Sequence, residues 1–139
     1  VLKAIDVLVV NEIEAAMVAK EVGLAAGSPQ ESARALADRF ALTVIVTLGG
    51  AGAAAFTADG AWAVDALKIT PVDTTGAGDA FVGVLAQGLD AGLDLPEAVR
   101  RASVGAALAC LTLGCQSSYV TGAQIRARLD ELPAPRQLS

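Results

Sequence analysis

The residues in this sequence that are best suited to chemistry lie in the run Asp-Thr-Thr-Gly-Ala-Gly-Asp-Ala-Phe, residues 73–81. A helix that begins at glycines leaves several backbone N–H groups without partners, and the helix dipole strengthens the anion-binding site that they form. A carboxylate at the same helix start would repel a phosphate held there. Asp79 is explained if it faces a hydroxyl group that must lose its proton to attack that phosphate. The alternative is a glycine-rich turn in which Asp79 is an ordinary first-turn acid.

The composition of the chain makes a carboxylate the leading candidate for a catalytic base. The chain of 139 residues contains no histidine, which removes Ser-His and Cys-His catalysis and leaves a carboxylate as the leading candidate base. The formal net charge is −5 and no basic cluster is present, which argues against nucleic acid and anionic membranes as partners. Cys110 and Cys115 match no zinc or redox spacing. We therefore expect reduced thiols and a cytoplasmic protein.

Apolar runs and helix caps predict an α/β protein. Apolar residues make up 54% of the chain, and the runs Ile5–Val10 and Thr43–Thr47 are typical of buried parallel strands. Cap signals predict helices after Asn11, Ser28 and Thr121. Further helices should start near Gly76 and Leu95, short strands should form at Ala53–Thr57, Ala61–Asp65 and Ile69–Val72, and the tail from Pro133 should be loose. The expected fold is one domain, residues 1–139, with a parallel sheet flanked by helices and a short antiparallel meander.

The run at residues 73–81 resembles the signature of the ribokinase-like sugar kinases, also called the phosphofructokinase-B family. Three further segments resemble motifs of that family in the same order along the chain. They are Asn11-Glu12-Ile13-Glu14, similar to an N-x-x-E motif; residues 47–52, similar to a nucleotide-cradling turn; and residues 113–118, similar to the segment after a long helix. The likeness extends from Ile5 to Leu132, and the fold that it implies is the C-terminal part of a ribokinase-like domain.

The resemblance implies catalytic roles for the matching residues. Asp79 would take the proton from a sugar hydroxyl, and the backbone N–H groups of Gly76, Ala77, Gly78 and Asp79 would hold the transferring phosphoryl group. Glu14, with Asn11 nearby, would hold water around Mg²⁺ and the phosphates, because Mg²⁺ keeps several of its waters. On the residues alone, a plain helix cap at Asn11 and a solvated helix face at Glu14 are the better explanation.

The resemblance also implies an ATP site built from small residues. The residues that would line it are Thr47, Gly49, Gly52, Ser103, Ala106 and Ala107. The first three lie where a strand ends in a turn. The last three lie on the long helix, where small side chains leave room for the flat adenine ring. On the residues alone, turn formation and helix packing explain these positions equally well.

Many members of the family bind a monovalent cation beside the anion hole, and the implied K⁺ ligands here are oxygen atoms from loops and a helix end. The set consists of Asp73, the carbonyls of Thr75, Ala109, Thr112 and Gly114, and Ser118. Such hard oxygen ligands suit K⁺ chemically. Position 112 and the neighbourhood of Cys115 vary within the family, so K⁺ dependence is a hypothesis.

The implied activity is ATP-dependent phosphorylation of ribose or a related sugar, since Gly114, Gln116 and Ser118 form a pattern similar to that of ribokinases. Family members are considerably longer, and we expect the N-terminal half, with the sugar-binding residues and the lid, to be absent here. The chain alone should fold, should be inactive because nothing orients the sugar, and should form homo-oligomers. The alternative is a nucleotide-binding module without catalysis. A dehydrogenase is disfavoured, because no strand is followed by G-x-G-x-x-G.

Overall fold

The structure is a computed structural model that describes residues 6–24, 27–111 and 121–138. The chain forms two compact units. The first unit contains the chain up to Leu48, the segment Ala53–Ala63 and the chain from Arg136 onward. The second unit contains Gly49–Gly52 and Val64–Pro135. Within the described ranges, every helix is too short or too polar to span a lipid bilayer.

Strands and helices both form, as the predicted α/β class requires. The strands are β1 Val7–Asn11, β2 Thr43–Thr47, β3 Ala53–Thr57, β4 Gly60–Val64 and β5 Arg136–Leu138. The helices are α1 Glu12–Glu21, α2 Pro29–Phe40, α3 Ala77–Asp90, α4 Leu95–Ala109 and α5 Gly122–Arg128, with short 3₁₀ turns at Gly49–Ala51 and Leu129–Glu131. The helix starts predicted at Asn11, Ser28 and Thr121 are confirmed, and each carries a reciprocal capping box.

The strands form one mixed sheet in the order β1-β2-β3-β4-β5. β1 and β2 are parallel, with Asn11 opposite Thr47, and β3 runs antiparallel to β2. β3 and β4 are neighbours that are joined by a turn at Ala58-Asp59, and β4 begins one residue earlier than predicted. The predicted combination of parallel strands with a short antiparallel meander is confirmed.

Two predictions about strands were wrong. The tail that we expected to be loose contains β5, which pairs antiparallel with β4 and places Gln137 opposite Trp62. The strand expected at Ile69–Val72 does not form. Pro71 has no N–H to give to a ladder, and the N–H of Val72 donates instead to the carbonyl of Cys110 at 2.8 Å. This contact with the end of α4 replaces the expected sheet pairing.

In the first unit, α2 packs on the sheet through one buried face. Ala33, Leu36 and Ala37 are fully buried and recur at helical spacing. They belong to one core cluster with strand residues such as Val44 and Phe56. β2 is buried, as its continuous apolar sequence predicts, whereas in β1 only Val10 is buried and Val7 is exposed.

In the second unit, α3 and α4 approach closely because glycine lies at their contacts. A methyl group added at Gly105 would come within 2.7 Å of the Val84 side chain. A methyl group at Gly88 would come within 3.3 Å of Ala98. Helix packing therefore explains why glycine occupies positions 88 and 105.

Arg100 ties α4 to the turn that follows α5. Its guanidinium donates to the carbonyl oxygens of Leu129 and Leu132 at 2.7 and 3.0 Å. It also pairs with Glu97 at 3.3 Å, and only 16% of its side chain is exposed. The adjacent Arg101 pairs with Glu97 at 3.3 Å and is twice as exposed, at 32%.

We predict that Arg100→Met lowers the free energy of unfolding by about 2–3 kcal/mol, because two backbone carbonyls lose a charged donor. Arg101→Met is the matched control and should cost less than about 0.5 kcal/mol, since it removes only a partly exposed ion pair. Urea denaturation of both variants measures the difference. Equal losses would show that the two carbonyl contacts contribute nothing.

Candidate functional site

The loop that leads into α3 is fixed to the end of α4 by backbone hydrogen bonds. The N–H groups of Val72 and Asp73 both donate to the carbonyl oxygen of Cys110, at 2.8 and 3.0 Å. The Asp73 carboxylate accepts a hydrogen bond from the N–H of Thr75 at 2.9 Å, which closes a small turn. Two residues of the predicted K⁺ set, Asp73 and Thr75, therefore lie in the loop that is attached where α4 ends, next to Ala109.

Sequence reasoning missed the part that Cys110 plays in this attachment. The acceptor is its backbone carbonyl, and every residue has one, so no residue type indicates it. Burial raises the pKa of the Cys110 thiol, and the nearby Asp73 carboxylate raises it further. The thiol is therefore neutral near pH 7 and a poor nucleophile.

The start of α3 leaves backbone N–H groups available to an anion. Its N-cap is Gly76, which has a φ of +84° and supplies no side-chain cap. The N–H of Ala77 donates to Thr74, and the first helical bond runs from Ala80 to Gly76. The N–H groups of Gly78 and Asp79 fall between these bonds and have no acceptor within the helix. A side chain added at Gly78 would meet nothing within 4 Å, so the space beside these groups is open.

Asp79 is the third residue of α3, and its side chain is exposed. Among the residues that the structure describes, its carboxylate has no hydrogen-bonding or ionic partner. A carboxylate in the first turn gains from the helix dipole without help from a partner. Its geometry therefore leaves it free to accept a proton from a bound molecule.

The glycine turn after β2 is shaped by Gly52. Gly52 has a φ of +95° and is buried, and any side chain there would overlap the carbonyl oxygen of Val64. Its N–H donates to the carbonyl of Gly49 at 3.0 Å. Gly49 is exposed, and a side chain there would meet nothing within 4 Å. Gly52 thus fixes the turn, and Gly49 presents its backbone to open space.

Ser103 and Ala106 lie on α4. Ser103 is buried, and its hydroxyl donates to the carbonyl oxygen of Asp65 at 2.8 Å. Ala106 is half-buried and Ala107 is buried. The structure therefore brings Ser103 together with the segment that supports Gly52, and gives its hydroxyl a protein partner.

Asn11, Glu14 and Thr47 belong to the first unit. The side chain of Asn11 accepts from the N–H of Glu14 at 2.8 Å, and the Glu14 carboxylate accepts from the N–H of Asn11 at 2.9 Å. The cap that the residues alone predicted for Asn11 is therefore present. Thr47 lies opposite Asn11 in the sheet, and its hydroxyl donates to the carbonyl of Val10 at 3.5 Å.

Three members of the predicted K⁺ set, Thr112, Gly114 and Ser118, lie outside the described residues. In the part of the chain that is described, no group of three His, Cys, Asp or Glu side chains could hold a metal ion directly. A cation bound here would therefore depend on backbone carbonyls, single carboxylates and water.

Comparison with known proteins identifies the family. Residues 1–122 match the sequence model of the pfkB family carbohydrate kinases. The chain belongs to this family. Its ribokinase-like fold is shown by its similarity to solved ribokinase structures. An Arabidopsis thaliana ribokinase, solved in complex with ribose and ATP, is 25% identical with a TM-score of 0.80, and the match covers 92% of this chain and 42% of that one.

Two further relatives are more similar in sequence. A nucleoside kinase from Burkholderia thailandensis, solved in complex with inosine, is 34% identical with a TM-score of 0.78, over 93% of this chain and 40% of that one. The deoxyribokinase of Salmonella typhi is 40% identical over 88 residues, which are 63% of this chain and 29% of the relative. The chain thus spans less than half the length of each of these proteins.

We predict that Gly52→Ala lowers the free energy of unfolding by about 3 kcal/mol or more, because the new methyl group overlaps the Val64 carbonyl and the backbone is strained. Gly50→Ala is the control, since a methyl group there meets nothing within 4 Å and no left-handed conformation is involved. It should change stability by less than about 1 kcal/mol. Thermal unfolding compares the two variants, and a stable Gly52→Ala would rule out the close approach of Gly52 to Val64.

Proposed function

We propose that this chain is the nucleotide-binding part of a kinase that transfers the γ-phosphoryl group of ATP to a hydroxyl group of a sugar. The observation that carries the proposal is the start of α3, where the exposed Asp79 carboxylate stands beside N–H groups without acceptors. Membership of the pfkB carbohydrate kinases supports it. So does the Arabidopsis relative, which was solved with ribose and ATP.

In this mechanism Asp79 accepts the proton of the sugar hydroxyl. The hydroxyl oxygen then forms a bond to the γ-phosphorus while the bond from that phosphorus to the bridging oxygen of ATP breaks, and ADP leaves with the electron pair. Charge develops on the oxygens of the transferring group. The backbone N–H groups of Gly76, Gly78 and Asp79 stabilise this charge, with little reorganisation because the helix start is already formed. The N–H of Ala77 donates to the carbonyl of Thr74 and would have to leave it to join them.

The proposed Mg²⁺ residues fit an indirect role. One oxygen of the Glu14 carboxylate serves the helix cap, and the exposed side chain keeps its second oxygen for solvent. Such an oxygen can hold a water molecule of hydrated Mg²⁺, and Asn11 keeps Glu14 in place through the reciprocal bond. Bound Mg²⁺ would neutralise phosphate charge.

The residues that we propose for the nucleotide site share small side chains. They are Thr47, Gly49, Gly52 and Ala106. The exposed backbone of Gly49 and the half-buried methyl group of Ala106 leave room for a flat base. Gly52 contributes by fixing the shape of the turn.

A K⁺ site is proposed at the loop that precedes α3. Asp73, the carbonyls of Thr75 and Ala109, and the predicted ligands Thr112, Gly114 and Ser118 would supply hard oxygen atoms. The hydrogen bonds from Val72 and Asp73 to the Cys110 carbonyl hold this loop at the end of α4, beside Ala109. Kinase activity that is the same in KCl and in choline chloride would contradict the site.

The proposed substrate is ribose or a related sugar, because Gly114, Gln116 and Ser118 form a pattern similar to that of ribokinases. A nucleoside is the competing substrate, because one relative was solved in complex with inosine.

A second candidate function applies to the chain by itself. Since it spans 29% of the deoxyribokinase, it would bind nucleotide without turnover.

Self-association of the chain is proposed on two exposed apolar side chains of α1. Ile13 and Met17 are 73% and 62% exposed, and burying them against a second copy would remove them from water. Light scattering tests this proposal.

We predict that the chain alone does not phosphorylate ribose, and that a chimera gains activity when the chain replaces the matching part of a ribokinase. In that chimera Asp79→Asn should lower kcat by about 10²–10⁴-fold with little change in ATP affinity, because the base is lost and the N–H groups remain. Asp90→Asn, which changes an exposed acid at the other end of α3, is the control. A coupled assay of ADP release measures kcat for both variants. Near-normal turnover by Asp79→Asn would refute the proposal that Asp79 is the base.

We predict that Glu14→Gln distinguishes the role of Glu14 in capping α1 from its proposed role in holding hydrated Mg²⁺. Glutamine at this position keeps the capping box, so the melting temperature should stay within a few degrees of the original value. The loss of the carboxylate should raise the Mg²⁺ concentration needed for half-maximal activity of the chimera by about tenfold, the effect of losing an outer-sphere contact. Glu31→Gln, the same change in the capping box of α2, is the control. An unchanged Mg²⁺ requirement would leave Glu14 as a cap only.

A further inference from the structure

Helix α4 holds two segments of the second unit, one through a side chain and one through a backbone carbonyl. The Ser103 hydroxyl donates to the carbonyl of Asp65 at 2.8 Å. The Cys110 carbonyl accepts from Val72 and Asp73 at 2.8 and 3.0 Å. Ser103 and Cys110 lie about two turns apart on the same face of α4, roughly 10 Å along its axis. The two ends of the stretch between Asp65 and Asp73 are therefore attached to fixed points on one helix.

The glycine turn is supported at the first of these points. Gly52 lies so close to the carbonyl of Val64 that no side chain fits between them. Its N–H closes the turn onto Gly49 at 3.0 Å. The carbonyl that Ser103 holds belongs to the next residue, Asp65. A shift of Val64 and Asp65 away from α4 would therefore move the turn with them.

The anion-binding loop is supported at the second point. Val72 and Asp73 donate from their backbone N–H groups to the backbone carbonyl of Cys110, so these two bonds do not involve Ser103. The Ser103 hydroxyl instead bonds to the segment on which the glycine turn rests. The distance between turn and loop depends on both contacts.

We propose that Ser103 is a positioning residue that holds the Gly49–Gly52 turn at the correct distance from the anion-binding loop, and that it does not contact the adenine base. Ser103 is 5% exposed, and its only hydroxyl proton is given to Asp65. A hydrogen bond donated by this hydroxyl to a ring nitrogen of adenine would require the bond to Asp65 to break. The inference rests on the proposed function, in which the turn receives the nucleotide.

The test compares Ser103→Ala with the original chain by calorimetric titration of Mg·ATP, Mg·GTP and inorganic tripolyphosphate. We expect Ser103→Ala to weaken ATP and GTP by the same factor, about 3–10-fold, since the displaced turn affects both nucleotides. Tripolyphosphate affinity should stay unchanged, because the loop remains attached to Cys110. Weaker binding of ATP alone would identify Ser103 as a base contact and overturn the proposal.

Two further variants exclude a general loss of stability. Ser103→Thr keeps the hydroxyl and should restore most of the nucleotide affinity. Ser32→Ala is the matched control, because Ser32 is a buried helix serine whose hydroxyl has no hydrogen-bonding partner among the described residues. It should leave all three affinities unchanged. If Ser103→Ala does not fold, Ser103→Cys provides a weak donor of similar size for the same comparison.

Amide hydrogen exchange tests the inference without any ligand. Ser103→Ala should speed exchange at the Gly52 N–H and leave the N–H of Glu31, which is capped by Ser28, unchanged. Unchanged exchange at Gly52 together with unchanged nucleotide affinity would overturn the proposal. If the original chain binds no nucleotide, the proposed function fails, and exchange at Gly52 alone decides whether Ser103 holds the turn.

Discussion

The position of the loop before α3 depends on the carbonyl oxygen of Cys110. It accepts two hydrogen bonds, from Val72 and Asp73, at the point where the chain turns from an irregular stretch into the loop before α3. Because the loop is attached there, the start of α3 has a defined position relative to α4. The N–H groups at that start can then be oriented for an anion without a rearrangement during the reaction.

Glycine and alanine make this arrangement possible. Gly76 adopts a left-handed conformation that opens the start of α3 without a side-chain cap. Gly105 lets α3 approach α4, and Gly52 lets the turn rest on the backbone of Val64. Larger residues at these positions would move the elements that carry Asp79 and Ser103.

Features formed by residues close together in the sequence, such as helix caps, could be predicted. Contacts between residues far apart in the sequence could not. Caps at Asn11, Ser28 and Thr121 were predictable because a side chain and a nearby N–H form each one. β5 was missed because its short pairing with β4 is set by distant residues and shows no periodic pattern. The start of α3 was visible as glycine spacing followed by Asp79. The hydrogen bond from Ser103 to Asp65 was not visible, because serine in an alanine-rich helix suggests only small size.

The central claim is that the nucleotide-binding surface is already formed in this chain. Calorimetric titration of Mg·ATP into the 139-residue chain tests it most directly. The account predicts saturable binding, with Kd between about 1 μM and 1 mM, the usual range for enzyme substrates. No saturable heat at millimolar Mg·ATP, from a chain that unfolds cooperatively, would contradict it.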